Sequence, residues 1–315
     1  MTGSPISTKE RYRTVDVPVR GGDLRLGVWE PVDGADGDPA PTVVAVHGVT
    51  ASHRCWSTVA ERLPEMRVIA PDLRGRGRSR DLPGPYGMAQ HAADVAAALD
   101  HLELDSAGFV GHSMGAFMVV AMSALQADRV GPVVLVDGGL PLPVAEGLTL
   151  DQVTTAILGP AKQRLSMTFP DREAYRDFFR AHPAFAGEWN DAVADYIDYD
   201  LVGEPPELQA ATRYAAMAED SEDLLRGGDW LLPGLANLPP GTPFLRAQGG
   251  MLGAEPGLYP PDWAAGWQQQ LPNVDVRDVA GVNHYTILFS DTGAAAVLAA
   301  VRSRIGGLTQ PRPVR

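Results

Sequence analysis

The strongest constraint on this chain is an alternation that begins at residue 42. Four short apolar runs, TVVAVHG, MRVIAP, AGFVGH and PVVLVDG, are separated by helix-like stretches at 53–64, 88–102 and 114–126. Such runs have no polar face, so each needs cover on both sides, and strands joined through helices run parallel. The pattern predicts an α/β fold with a mostly parallel sheet and helices on both faces. In the helix at 88–102, Met88, Ala92, Val95, Leu99 and Leu102 share one face. His91, Asp94, Asp100 and Glu103 fall mostly elsewhere, on what is expected to be the outer side.

Ahead of the alternation, YRTVDVPV and LRLGVWEPV flank Gly21-Gly22-Asp23 and predict a hairpin. After Val136 the alternation stops, and a helix-rich, aromatic and acidic stretch runs to NLPPGTP before the strand-like runs PFLRAQ and VDVRDV resume. The chain therefore divides into a core at 1–139, an inserted helical cap at 140–239 and a second part of the core at 240–315. Tyr175, Phe178, Phe179 and His182, and then Trp189, Val193, Tyr196 and Ile197, fall at helical spacing. They read as packing between cap helices, with an aromatic substrate wall as the alternative. From Glu188 to Asp223 eleven carboxylates face only Arg213. This reads mostly as solvated helix faces, unwelcoming to an anionic ligand.

Composition narrows the partners. A net charge of −13 disfavours nucleic acid and anionic membrane and suits a small neutral or cationic molecule. The single cysteine, Cys55, allows no intrachain disulfide and no C-x-x-C pair, so a reducing, cytoplasmic setting is expected. MTGSPISTKERYR has no basic-then-apolar leader, so export is not expected. The most apolar long stretch, 107–127, is broken by His112, glycines, serines and Gln126, and reads as a strand followed by a helix rather than a membrane span.

Chemistry enters at FVGHSMGAFMVV, residues 109–120. Ser113 follows a buried strand and opens a helix, and Gly111 and Gly115 spare the tight turn the Cβ atoms that would clash there. The helix N-terminus offers free N–H groups to a developing oxyanion. A serine hydroxyl needs a base, and there are seven histidines. His47 and His112 adjoin sheet ends, His53 opens a helix, His91 and His101 sit on the outer part of a sheet helix, and His182 lies in the insertion. His284, in AGVNHYT, alone follows the last strand on a loop.

HG at 47–48, DLRGRGRS at 72–79, GHSMG at 111–115 and GVNHY at 281–285 follow one another in an order that resembles the α/β-hydrolase superfamily. The likeness is to its capped epoxide-hydrolase-like and haloperoxidase-like branch, here with a serine nucleophile. It implies an eight-stranded, mostly parallel sheet, Ser113 as nucleophile, His284 as general base, and the N–H groups of Val49 and Met114 as oxyanion hole. His47 then reads as a structural hydrogen-bonding residue. DLRGRGRS lacks the Lys-Ser/Thr ending of a phosphate loop and reads as a fixed turn beside the site.

The acid departs from the commonest family pattern, because GGMLGA after FLRAQ holds no carboxylate before Glu255. The other family position is the end of the strand before the cap, where VVLVDGG supplies Asp137. Asp137 is preferred, with Glu255 as the alternative, since a group at a strand end is better fixed than one in a Gly-rich loop. The resemblance implies a serine hydrolase of an ester, lactone or similar acyl compound, needing no metal or organic cofactor. Carbon–carbon bond hydrolysis of a diketone-like substrate and non-catalytic small-molecule binding are the alternatives.

Overall fold

A computed structural model describes residues 11–32, 40–143, 152, 159 and 161–307. The hairpin pairs β1 (Tyr12–Val19) antiparallel to β2 (Gly22–Trp29), with Val19 opposite Gly22. The alternating stretch follows as β3 (Thr42–Val46), a 3-10 turn (His53–Trp56) running into α1 (Ser57–Glu61), β4 (Arg67–Pro71), α2 (Met88–His101), β5 (Ala107–His112), α3 (Met114–Leu125) and β6 (Val130–Val136). The intervening segment supplies α4 (Arg172–Arg180), α5 (Asp191–Tyr199), the two-residue strands β7 (Leu201–Val202) and β8 (Gln209–Ala210), α6 (Tyr214–Arg226) and α7 (Leu231–Asn237). The sheet resumes with β9 (Thr242–Gly249), then α8 (Pro261–Gln270), β10 (Val274–Asn283), α9 (Thr286–Phe289) and α10 (Asp291–Ile305).

Eight strands pair in the order β1-β2-β4-β3-β5-β6-β9-β10, and all pairs from β4 onward are parallel. The chain steps outward from β3 to β4 and then crosses back to β5. Strand order thus reverses between β3 and β5, which opens a crevice beyond their carboxyl ends. Every residue of β3 and β5 is buried, as their unbroken apolar runs require. Side chains alternate between the two faces: Val44, Val46, Phe109 and Leu135 pack with α2 and α3, and Val43, Ala45, Val110 and Val136 pack with α1 and α10. Each fully buried Val, Leu or Phe contributes about 1.5–3 kcal/mol.

The apolar stretch at 107–127 divides at Ser113 into β5 and α3. Met114 through Ser123 are all buried, because α3 is covered by the sheet and also by α2 and α7. The contact with α7 is close enough that a Cβ on Gly234 would stand 2.1 Å from Val120 O. This end of the 140–239 stretch therefore packs in the helix layer of the sheet. Among the described residues no helix is long and apolar enough to cross a membrane.

The expected outer position of His91 and Asp94 fails, and two of the acidic residues depart from the expected solvated faces, for one physical reason. His91 and Asp94 do not face outward: His91 Nε2 lies 3.0 Å from Asp220 Oδ2 on α6, and Asp94 holds Arg74 in a two-pronged pair at 2.8 and 2.9 Å. The acidic segment is not only solvated surface either, since Asp200 and Asp220 are buried. Their cationic partners, Arg164 and Arg76, lie outside the window that contains only Arg213. A helical wheel or a local charge count sees neither the turn nor the helix that comes to lie on that face. Within the same segment, His182 falls past the end of α4, at the N-cap of a 3-10 turn, and Trp189 precedes α5.

Candidate active site

Ser113 occupies the turn between β5 and α3 with φ 55° and ψ −125°. A side chain at positive φ costs about 1–3 kcal/mol, and here the surroundings hold it: Ser113 N donates to Val136 O at 3.0 Å. A Cβ on Gly115 would stand 2.2 Å from Val46 O, so only glycine lets the start of α3 approach β3 this closely. A Cβ on Gly48 would lie 3.1 Å from Ser113 Cβ and 3.4 Å from its Oγ.

Asp137 follows β6, also at positive φ (44°), and is fully buried. Its N–H donates to Leu245 O at 2.8 Å and its Oδ1 accepts from Ala247 N at 3.1 Å, both on β9. The second oxygen, Oδ2, lies 2.7 Å from His284 Nδ1. His284 leaves β10 immediately before α9, where Asn283 Oδ1 accepts from the N–H groups of Tyr285 and Thr286 and fixes the turn. With Nδ1 engaged by the carboxylate, Nε2 is the ring nitrogen left for chemistry.

Ser113 and His284 line one recess together with Gly48, Val49, Thr50, Met251 and Tyr285. Among the described residues no direct hydrogen bond joins the two. A second recess of about 50 Å³ holds Ser113, Val49 and Met114 among Phe117, Leu142, Leu224, Met251 and Leu258. An outer cavity of about 290 Å³ shares lining residues with both and has Arg164, Phe178, Phe179, His182, Tyr196 and Tyr285 in its wall. Met251 lines all three spaces.

Three of the other histidines are held by buried partners. His47 Nε2 accepts from Leu73 N at 2.9 Å, so its Nδ1 carries the proton and donates to Gly48 O at 2.7 Å. Burial pushes its pKa down to about 3. His53 Nδ1 is 2.8 Å from the buried Asp72. His112 Nε2 donates to His284 O at 2.8 Å, and burial, then the neighbouring His284, holds its pKa well below the usual imidazole value.

The alternative acid does not reach the site. Glu255 is exposed and accepts from Gln248 Nε2 at 2.6 Å. Asp278 pairs with Arg246 and Asp275 with Arg277. Sequence reasoning did not single out Met251, nor Gly138, where a Cβ would stand 2.2 Å from Ser113 O. It also missed Arg76 and Arg164. The signal available for Arg76 was its place in DLRGRGRS, where a charged residue beside a buried strand end requires a buried partner. Among the described residues no group of three or more His, Cys, Asp or Glu is arranged to hold a metal.

A family model described as alpha/beta hydrolase fold matches residues 41–184. Similar curated proteins include lipase LipV of Mycobacterium tuberculosis, 34% identical over 160 residues that make up 50% of this chain and 55% of that protein. Another is N-formylmaleamate deformylase of Pseudomonas putida, 38% identical over 103 residues, 32% of this chain and 38% of that protein. The chain spans about half or less of the length of these curated relatives. Among solved structures, E-2-(acetamidomethylene)succinate hydrolase aligns with a TM-score of 0.73 at 22% identity, covering 93% of this chain and 99% of that one. The thioesterase domain from the curacin biosynthetic pathway aligns with a TM-score of 0.70 at 20% identity, covering 92% and 99%. These likenesses are of fold.

Proposed function

Because the chain belongs to the α/β-hydrolase superfamily, we propose that it is a hydrolase that cleaves the ester, lactone or comparable acyl bond of a small uncharged molecule through an acyl-enzyme on Ser113. The observation that carries this reading is the buried Asp137–His284 pair at 2.7 Å, opening on a recess that also contains Ser113. In the proposed cycle His284 Nε2 takes the Ser113 proton as Oγ bonds to the substrate carbonyl carbon. The carbonyl oxygen gains charge and is met by the N–H groups of Val49 and Met114. His284 then gives its proton to the leaving oxygen as the carbon–oxygen bond breaks. Water repeats the sequence on the acyl-enzyme and frees Ser113. Asp137 keeps the Nδ1 proton in place and offsets the charge of the imidazolium.

The substrate divides between the two recesses by chemistry. The leaving group must lie where His284 can protonate it, so the acyl group takes the recess that contains Ser113 and Met114 but not His284. That recess has no charged lining. The helical segment at 140–239 acts as a cap, with Phe178, Phe179 and Tyr196 facing the leaving group in the outer cavity. A fluorophosphonate probe tests the reading: it should modify the wild-type protein and leave Ser113→Ala untouched. No labelling of the wild type, or equal labelling of both, would refute it and favour a protein that binds without turnover.

A further inference from the structure

The loop after β3 is held by two buried guanidinium groups that the proposed reaction cycle does not use. Arg76 Nε donates to Val49 O at 2.9 Å, its Nη1 donates to Arg74 O at 2.8 Å and lies against Asp220 Oδ2, and its Nη2 faces Met114 Sδ at 3.9 Å. One residue along the loop, Arg164 Nη2 donates to Thr50 O at 3.4 Å while its Nη1 meets Asp200 and the Tyr175 hydroxyl. Both arginines and both aspartates are buried.

These pairs reach well beyond the turn they hold. Asp220 on α6 also accepts from Gly87 N and faces His91 Nε2, and Asp200 at the end of α5 accepts from Ala211 N. Two consecutive carbonyls of one loop are thus gripped by cations, each balanced by a carboxylate from the inserted segment. A buried guanidinium is tolerated only where its charge and its donors are all matched, and here the matching fixes both in direction.

We propose that Arg76 and Arg164 are positioning residues that set the peptide planes around Val49, and that the inserted segment controls this loop through Asp220 and Asp200. The inference rests on the reading of Val49 and Met114 as oxyanion donors. Donors act on a developing oxyanion to the extent that they are aimed before the charge appears. The Val49 N–H lies in the peptide plane of Gly48 O, which accepts from His47 Nδ1 at 2.7 Å and from Ala51 N at 3.2 Å. The arginines hold the two planes that follow, so the loop cannot turn about Val49 from its carboxyl side. The Arg76 guanidinium touches the residues of both donors.

The test is a double variant, Arg76→Met with Asp220→Asn, which removes both charges together and keeps an acceptor for Gly87 N. Amide hydrogen exchange in the peptide spanning 47–52 should become faster while the melting temperature stays near that of the wild type. With kcat normalised to fluorophosphonate-titrated sites, kcat should fall by about tenfold to a hundredfold with KM little changed. Arg76→Lys, which keeps the charge against Asp220 but not the planar fork, should fall in between and provides a folded variant if the double one is unstable. Unchanged exchange in 47–52 would overturn the clamp. Faster exchange with wild-type kcat per titrated site would overturn its part in the reaction. If the wild type takes no label at all, the serine-hydrolase reading fails, and hydrogen exchange still decides the clamp.

Discussion

Asp137 commits its N–H and both carboxylate oxygens: N–H and Oδ1 on β9, Oδ2 on His284. An asparagine there could still satisfy Ala247 N. It would present an N–H to His284 Nδ1, however, and so favour the tautomer whose Nε2 already carries a proton and cannot accept one. Asp137→Asn should therefore lower kcat by about 10³–10⁴-fold with the protein still folded. Glu255→Gln should leave kcat near wild type, since Glu255 is exposed and its side chain accepts from Gln248 rather than from His284. Steady-state kinetics on the two variants checks this, and the reverse ranking would move the acid to Glu255. The sequence left these two carboxylates open because the choice depends on where β9 and β10 end relative to β6, a matter of three-dimensional register.

At the scale of elements, α3, α6 and the loop after β9 together bound the recess beside Ser113. A closed cavity of about 150 Å³ holds one benzene molecule, so on the proposed placement of the acyl group a recess of about 50 Å³ favours a chain of about two to three carbons. Across p-nitrophenyl esters of increasing chain length, kcat/KM should be highest for acetate or propionate and fall beyond butyrate. Leu224→Ala on α6 should move the optimum to longer chains, and a wild-type preference for octanoate would refute the assignment. The elements themselves were legible: β3 and β5 are buried on both faces and so read as unbroken apolar runs, and α3 keeps the small residues its tight entry demands. The inner side of α2 was only half legible. Its apolar stripe marks the face on the core, but Asp94 and His91 are covered by Arg74 and Asp220, which come from elsewhere in the chain.

Across the whole molecule, acid should act through groups that are buried in one charge state. His47 has its pKa held down to about 3, below its ordinary 6.5, by burial, so the unfolded chain binds its proton first as pH falls. Its contribution to stability is complete above about pH 6.5 and is lost progressively toward pH 3. Burial alone would raise the Asp220 carboxyl, but His91 and Arg76 outweigh it and hold it at about 2. Its contribution is complete above its ordinary value of 3.8 and is lost as pH falls toward 2. Denaturation midpoints measured from pH 7 to 3 should therefore decline first through the histidine window. His47→Gln, which can keep both the Leu73 and Gly48 hydrogen bonds, should flatten the decline between pH 6 and 4. An unchanged profile in that variant would show that another group is responsible. None of this was readable from the sequence's charge total, because the groups concerned differ from exposed ones only in what folds over them.

The junction of β6 with β9 carries one more consequence. Only Leu135 with Phe244 and Val136 with Leu245 pair directly there, and Asp137 prolongs that ladder with its own main chain and side chain. The residues joined are more than a hundred positions apart, so this seam is a non-local contact that the intervening segment must bring together. Until it closes, His284 has no carboxylate to orient it. On the proposed reading, the reactive geometry therefore depends on a long-range contact of the sheet, and a chain in which this seam is open would carry Ser113 without an aligned base.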